Sequence, residues 1–363
     1  MFSKLRLCLL GVCVTCISVF ILCGCTNAAK IEVSKKLSDF EICKPESDGQ
    51  FHDGLLWGAY SDGTSVYYNY NGNIAFPLPS NIKPISDFYN ERAVVVDNKT
   101  GLCGYIDTKG KIVIPCKYKN ASIFSQELAY VDIDDSRPGV FIDKKGNIVT
   151  TLTRKYSSDY FFSEGLAIVY DLKNGKQGCI NKSGELVIPC KYTFIRPISE
   201  GLSVVENDKG QYGYMNKEGK IVIPFQYKGA GDFSEGLAVV ENDKGQCGYI
   251  NKDGKIAIPF QYKDAGNFSE GLASVTNNKG KWGFIDKTAT LVIPYQNYTK
   301  VSDFKEGICL VGIEDNSGGK FGYIDSKGKL LTQLEYRIDS TSFKEGKAVA
   351  VKDDRTAIII END

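Results

Sequence analysis

The chain is poor in the groups on which most catalysis depends. It holds one histidine, two tryptophans and two methionines in 363 residues. The single imidazole, His52, stands in an irregular stretch near the N-terminus, with no Ser-His-Asp constellation around it. One imidazole also cannot build a two-histidine metal site. No G-x-x-x-x-G-K-[ST], G-x-S-x-G or H-E-x-x-H motif occurs. Charge of one sign is also missing: 44 Lys and Arg stand against 44 Asp and Glu. A balanced chain has no basic stripe, which excludes a nucleic-acid partner. Past the leader no stretch is long and periodic enough for a helix, and none of the cysteines there has C-x-x-C metal spacing. Nothing implies a cofactor or a metal.

What the chain has in abundance is repetition. Aligned on the phenylalanine before Ser-Glu-Gly, copies begin at Phe51, Phe88, Phe124, Phe162, Ile198, Phe233, Phe268, Phe304 and Phe343, spaced 35 to 39 residues apart. A period held this tightly means one supersecondary unit stacked on itself. In the copy at 233–267, Gly236-Leu237-Ala238-Val239-Val240-Glu241 is a short apolar, β-branched run, and the turn residues Asn242-Asp243-Lys244-Gly245 follow it. A second run, Cys247-Gly248-Tyr249-Ile250-Asn251, passes through a Gly-containing hairpin turn into a third, Lys255-Ile256-Ala257-Ile258-Pro259-Phe260. Pro259 removes a ladder donor and is expected to end that run. A fourth, short strand is expected in 261–267. The fold class is therefore all-β, with tandem units of three to four antiparallel strands. The arrangement is propeller-like, closed or spiralling, and the alternative is an open β-superhelix or solenoid.

The two ends differ from the repeats. Residues 1–24 carry Lys4 and Arg6 and then an apolar run from Leu7 to Cys23, the plan of a secretory signal peptide. Leu22-Cys23-Gly24-Cys25 resembles the lipobox of bacterial lipoproteins, which implies cleavage before Cys25 and a lipid on that cysteine. Residues 25–50 read as a tether, and 51–363 as the repeat domain. Loss of the leader removes Lys4 and Arg6 and leaves 42 basic against 44 acidic residues. The copy at Phe51 is the most degenerate, as expected of a cap. The copy at Phe124 lacks the glycine after Glu127 and the proline after Ile148-Val149. The last copy has only its first two runs, 347–352 and 356–360.

Of twelve cysteines, four go with the leader and Cys25 would carry lipid. Cys43, Cys103, Cys116, Cys179, Cys190, Cys247 and Cys309 remain, an odd number at positions that other copies fill with Trp, Tyr, Phe or Ala. They read as small core hydrophobes. If the second and third runs pair around a two-residue turn at Lys109-Gly110, Cys103 and Cys116 face each other, and a disulfide there is the alternative to two buried thiols.

Lys281-Trp282-Gly283-Phe284-Ile285-Asp286 reproduces the K-W-G-x-I-D motif of the WG repeat. Tyr212-Gly213, Cys247-Gly248 and Phe321-Gly322 keep its glycine. With the flanking Phe-Ser-Glu-Gly-Leu-Ala and Ile-Pro elements, the chain from Phe51 onward resembles that family. The resemblance implies a bacterial, often exported protein, without implying a common activity.

Repeated polar residues are best explained by the units' own turns: an Asn or Asp side chain bonding its turn's backbone, and glycine supplying positive φ. The functional alternative, a ladder of oxygens for Ca²⁺, offers one oxygen group per unit where Ca²⁺ takes six to eight ligands. Three functions follow. The first is a non-enzymatic extracytoplasmic lipoprotein, anchored to a bacterial membrane through Cys25, whose surface binds an envelope or host protein or glycan. Its candidate partner-binding residues are Trp57, Trp282, Tyr212 and Phe321, with Trp57 favoured because it differs from its register mates. The second is a structural spacer that holds its ends apart. The third is a glycan-active enzyme built on a carboxylate pair, although context marks no such pair. For Trp282 the expectation is a buried anchor.

Overall fold

A computed structural model describes residues 31–37, 40–42, 47–60, 64–134, 136, 138–153, 155–158, 161–314, 319–337, 339–354 and 356–362. Every regular element among them is a strand, and the strands form nine separate antiparallel sheets. A full sheet is a four-stranded meander, such as Gly229–Ala230, Leu237–Glu241, Cys247–Asn251 and Ile256–Tyr262. The last three are the runs read from the sequence, here called first, second and third strands. The short strand exists as well, but it opens the following sheet: Asp264–Ala265 pairs with Ala273–Thr276. Each sheet thus takes its lead strand from the tail of the preceding copy.

The third strand does not end at its proline. Tyr249 pairs with Ile258 and Cys247 with Tyr262, so a two-residue step on one strand faces a four-residue step on the other. The strand bulges over the difference, and Pro259 sits exposed in the bulge of an edge strand, where no ladder N–H is required of it. The bulge also explains the glycine of the Trp-Gly register. A Cβ on Gly248 would lie 2.8 Å from the Ile258 carbonyl oxygen and 3.0 Å from the Phe260 nitrogen. Gly213 and Gly283 are crowded in the same way, 2.7 Å and 2.9 Å from Ile223 and Ile293 oxygens. Close backbone approach, and not turn geometry, demands glycine there.

Strand alternation divides each sheet's side chains between two interfaces. Tyr249, Ile258 and Tyr262 of one sheet pack with Phe268, Ala273, Val275 and Ile285 of the next. From the other face, Ala238, Val240 and Ile250 meet Tyr214, Ile223 and Tyr227 of the sheet before. The repeat's phenylalanine is a wedge between units: Phe268 meets the Tyr249 ring with centroids 4.9 Å apart, and the Tyr249 hydroxyl donates to the Gly266 oxygen at 2.8 Å. Tyr214 repeats both contacts, with Phe233 and with the Gly231 oxygen.

The array closes on itself. Strands Lys347–Val351 and Ala357–Asn362 of the incomplete last copy are joined by Ile31–Leu37, which pairs antiparallel with Ala357–Asn362. The N-terminal strand therefore takes the third-strand place that the last copy lacks. This ninth sheet shares a core with the first: Leu37, Val349, Val351, Ala357 and Ile359 pack with Phe51, Leu56 and Tyr68. Both Ile31–Leu37 and Phe40–Ile42 fall in the stretch read as a tether. The result is a closed, propeller-like ring of nine sheets.

Candidate functional site

The repeated Ser-Glu-Gly residues hold neighbouring units together. Ser199, Ser234 and Ser269 donate from Oγ to the carbonyl oxygens of Phe233, Phe268 and Phe304 in the next unit, at 2.7 to 2.8 Å. The glutamate reaches the same way: Glu200 accepts from the amides of Glu235 and Gly236, and Glu270 from those of Glu306 and Gly307. At the closure Glu345 accepts from the amides of Asp53 and Gly54, at 3.1 Å each. Lys252 and Lys287, from the hairpin turns of the following units, pair with Glu200 and Glu235 at 3.1 Å. The glutamates themselves sit at φ of +52° and +54° (Glu200, Glu235), a left-handed geometry costing about 1 to 2 kcal/mol each. The inter-unit hydrogen bonds, worth about 1.5 to 3 kcal/mol for charged acceptors, offset that strain. Glu164 illustrates the electrostatics: the Lys217 hydrogen bond pulls its carboxyl below the ordinary range.

The expectation that these side chains serve their own turns is right for the Asx residues and wrong for the glutamates. Asn251 Oδ1 accepts from the amides of Asp253 and Lys255, at 3.1 and 3.0 Å. The glutamates serve the neighbouring unit. Their oxygens are taken by backbone amides and lysines, which opposes the Ca²⁺ ladder.

The serine is replaced by Lys305 in the eighth unit and by three residues around the closure, Lys344, His52 and Tyr89 in the ninth, first and second units. These three come together across the closure. Lys344 Nζ lies over the imidazole, 2.6 Å from Nδ1 and 2.9 Å from Nε2 of His52. His52 Nε2 is 2.8 Å from Asp48 Oδ2, and the Tyr89 ring lies against the imidazole with centroids 4.3 Å apart. Asp87 completes the group. Its Oδ1 accepts from the Ser47 hydroxyl at 2.8 Å, and Oδ2 from the Asp48 amide at 3.3 Å. Burial pushes the Asp87 carboxyl up to about 6, against the Ser47 hydrogen bond and with the Asp48 charge adding to the rise. Burial acts on Asp48 too, but hydrogen bonds with His52 and the Gln50 amide hold it below the ordinary value.

Two carboxyls driven apart in this way resemble an acid and base pair. Asp87, however, is only 2% exposed, with both oxygens engaged. Asp48, His52 and Asp87 could also contribute three ligand atoms to a cation. The Lys344 ammonium already supplies the positive charge at that spot, so the residues do not fit a resident metal. What the cluster does chemically is to clamp the first, second and ninth units.

The sequence-derived aromatic candidates do not converge. Trp57 and Phe321 are 4% and 1% exposed, in the cores between units one and two and units eight and nine. Neither side chain offers a face to solvent. Trp282 and Tyr212 are half-buried at one register, the start of the second strand. Trp282 is thus not the fully buried anchor expected; its Nε1 donates to the Thr299 oxygen at 3.3 Å. Near Tyr212, a cleft of about 320 Å³ opens between units, lined by Arg196, Val239, Glu241, Cys247 and Asn267 among others. Cys25 and Cys43 lie outside the described residues. Cys103 and Cys116 are free thiols on opposite faces of their sheet, one in each adjoining core. The extra residues in the third strand put Tyr118, not Cys116, opposite Cys103.

Closed on itself, with its repeated polar groups joining unit to unit, the molecule is a ring of WG-type β-units. Its sequence matches the model of the WG containing repeat over residues 104–135, 141–176, 178–210, 212–245, 248–282, 282–316 and 321–355. The chain belongs to that family. A comparison with curated proteins gives no match. Among solved structures, the computationally designed Ika8 protein aligns with a TM-score of 0.47 and 13% identity, covering 79% of this chain and 99% of that one. BamB from Moraxella catarrhalis gives 0.45 and 11%, covering 92% and 100%. The C-terminal WD40 domain of Sif2 gives 0.44 and 10%, covering 92% and 98%.

Proposed function

We propose that this protein is a non-enzymatic, extracytoplasmic lipoprotein, anchored to a bacterial membrane through Cys25, whose ring displays a binding surface to an envelope or host protein or glycan. The supporting observation is the position of Tyr212 and Trp282. Both are half-buried beside the turn from first to second strand, on the rim opposite the one where the chain enters the ring at Ile31. An anchored ring would hold that rim away from the bilayer, with aromatic faces and the adjacent polar cleft suited to a sugar or a protein loop. The spacer reading is disfavoured, because Ile31 pairs with Asn362, so the two ends of the repeat array lie together.

Two measurements test the reading. Cys25→Ala should move the protein from the membrane fraction to the soluble fraction or leave an unprocessed precursor; recovery in membranes at mature mass would end the lipoprotein reading. For the binding rim, a photo-crosslinker at Tyr212 in intact cells should trap a discrete protein adduct, or the purified protein should co-sediment with peptidoglycan sacculi and lose that binding in Trp282→Ala. Failure of both would reject the surface.

A further inference from the structure

The exposed apolar side chains are not scattered. Of the fourteen large hydrophobic residues exposed among the described residues, eight are the first or second residue of a third strand, directly after its hairpin turn, Ile148, Val149, Leu186, Val187, Ile256 and Leu291 among them, and Ile74 and Leu330 hold the same place in isolated bridges. Isolated exposed aliphatics are ordinary on any protein surface. The same position exposed in unit after unit is a band around one rim, because the turns joining second and third strands all lie at one end of the meanders. The fold does not need these side chains to be apolar. The next core contact on each strand is made two residues on, by Ile188, Ile223, Ile258 and Ile293, which are 0 to 3% exposed.

The chain enters the ring at this rim. Ile31–Leu37 fills a third-strand place in the ninth sheet, with Val33 opposite Ile360 as Ile256 is opposite Ile250. Its first residue therefore opens beside the hairpin turns. Cys25 is six residues upstream, a stretch that reaches at most about 20 Å, and the apolar run Leu7 to Cys23 lies just beyond. Whether the leader is cleaved or kept, its end brings a bilayer to this rim. Charge at the residue directly before the aliphatic positions is net basic: exposed Lys111, Lys220, Lys255 and Lys329 fill it in four units, Glu185 in one, and Asn73, Asn147 and Thr290 in three.

We infer that this rim lies on the membrane, with the aliphatic band in the interface and the lysines at anionic phospholipid headgroups. The lipid is then a leash for a ring that is itself a peripheral membrane protein with a fixed orientation. The inference rests on the anchoring reading above, and the test separates the two. The full-length protein is reconstituted with vesicles of phosphatidylcholine and phosphatidylglycerol after maleimide labelling with an environment-sensitive fluorophore at Ile256→Cys, Val187→Cys, or Lys244→Cys on the opposite rim. The parent protein serves as the labelling blank. Quenching by lipids carrying spin labels in their acyl chains should be roughly twofold or more stronger at 256 and 187 than at 244, as expected for side chains within the headgroup and acyl boundary. Equal quenching at all three positions on vesicle-bound protein would overturn the orientation and leave the anchor standing. Protein that floats free of the vesicles would overturn both.

Discussion

Gly248→Ala is expected to destabilise the protein, although the usual effect of that exchange in an extended strand is the reverse. At a φ that alanine accepts, replacing glycine restricts the unfolded chain and stabilises by about 0.4 to 1 kcal/mol. Here the new Cβ would sit 2.8 Å from the Ile258 oxygen and 3.0 Å from the Phe260 nitrogen, where ordinary contact begins at 3.4 Å. Both are backbone atoms, so no side chain can rotate away. Moving the bulged strand by about half an ångström is an overpacking problem costing about 1 to 3 kcal/mol. The net expectation is a loss of about 1 to 2 kcal/mol, read as a lower urea midpoint at unchanged slope. Amide exchange should rise along Ile256–Tyr262 and stay unchanged in the sheet containing Tyr212–Asn216. A variant as stable as the parent, or more so, would refute the account of why this register holds glycine.

Two further outcomes follow from the closure. Asp87 is protonated in both folded and unfolded states well below pH 4. Between about pH 4 and 6 the unfolded chain loses that proton while the folded state keeps it, so its stabilising contribution fades as pH rises through the raised value near 6. Asp87→Asn cannot ionise. Its stability relative to the parent should therefore improve by roughly 3 kcal/mol between pH 4 and 7, measured as the difference in urea stability at each pH; a pH-independent difference would remove Asp87 from the account. Deleting residues 31–37 takes Leu37, 3% exposed, and a paired strand from the ninth sheet. About 2 to 5 kcal/mol should be lost, the burial of one leucine plus several ladder bonds, with exchange rising first in Ala357–Asn362; unchanged melting would show that this strand closes nothing.

The repeat unit was legible because period and strand alternation are local. Leu-Ala-Val-Val, Gly-Tyr-Ile-Asn and Ile-x-Ile-Pro each write their own strand, and the Asx turn between the last two is fixed by adjacent residues. What pairs distant residues was harder to read. Pro259 looked like a strand end because its effect depends on a bulge against Cys247–Asn251. The Ser-Glu-Gly glutamates looked like turn residues because their partners lie about 36 residues on. The closure cluster left a trace that could have been followed: Ser gives way in four copies, to Lys305, Lys344, His52 and Tyr89, and the ring makes the copies of the last three neighbours. Nothing local announces that Lys344 lies 292 residues from its partner. Trp57 departed from its register for packing, filling the core between the first two sheets.

Closure of the ring is tested most directly by the distance between its first and last units in solution. Tyr70 and Glu345 are 275 residues apart in sequence, and their side chains meet at 2.7 Å. Spin labels at these two positions, read by double electron–electron resonance, should report a short separation, no more than two side-chain lengths. An open stack of nine units would separate the same labels by roughly 80 Å, eight intervals of about 10 Å each. A single short distance supports the closed ring; a long or broad distribution in a folded protein would contradict it.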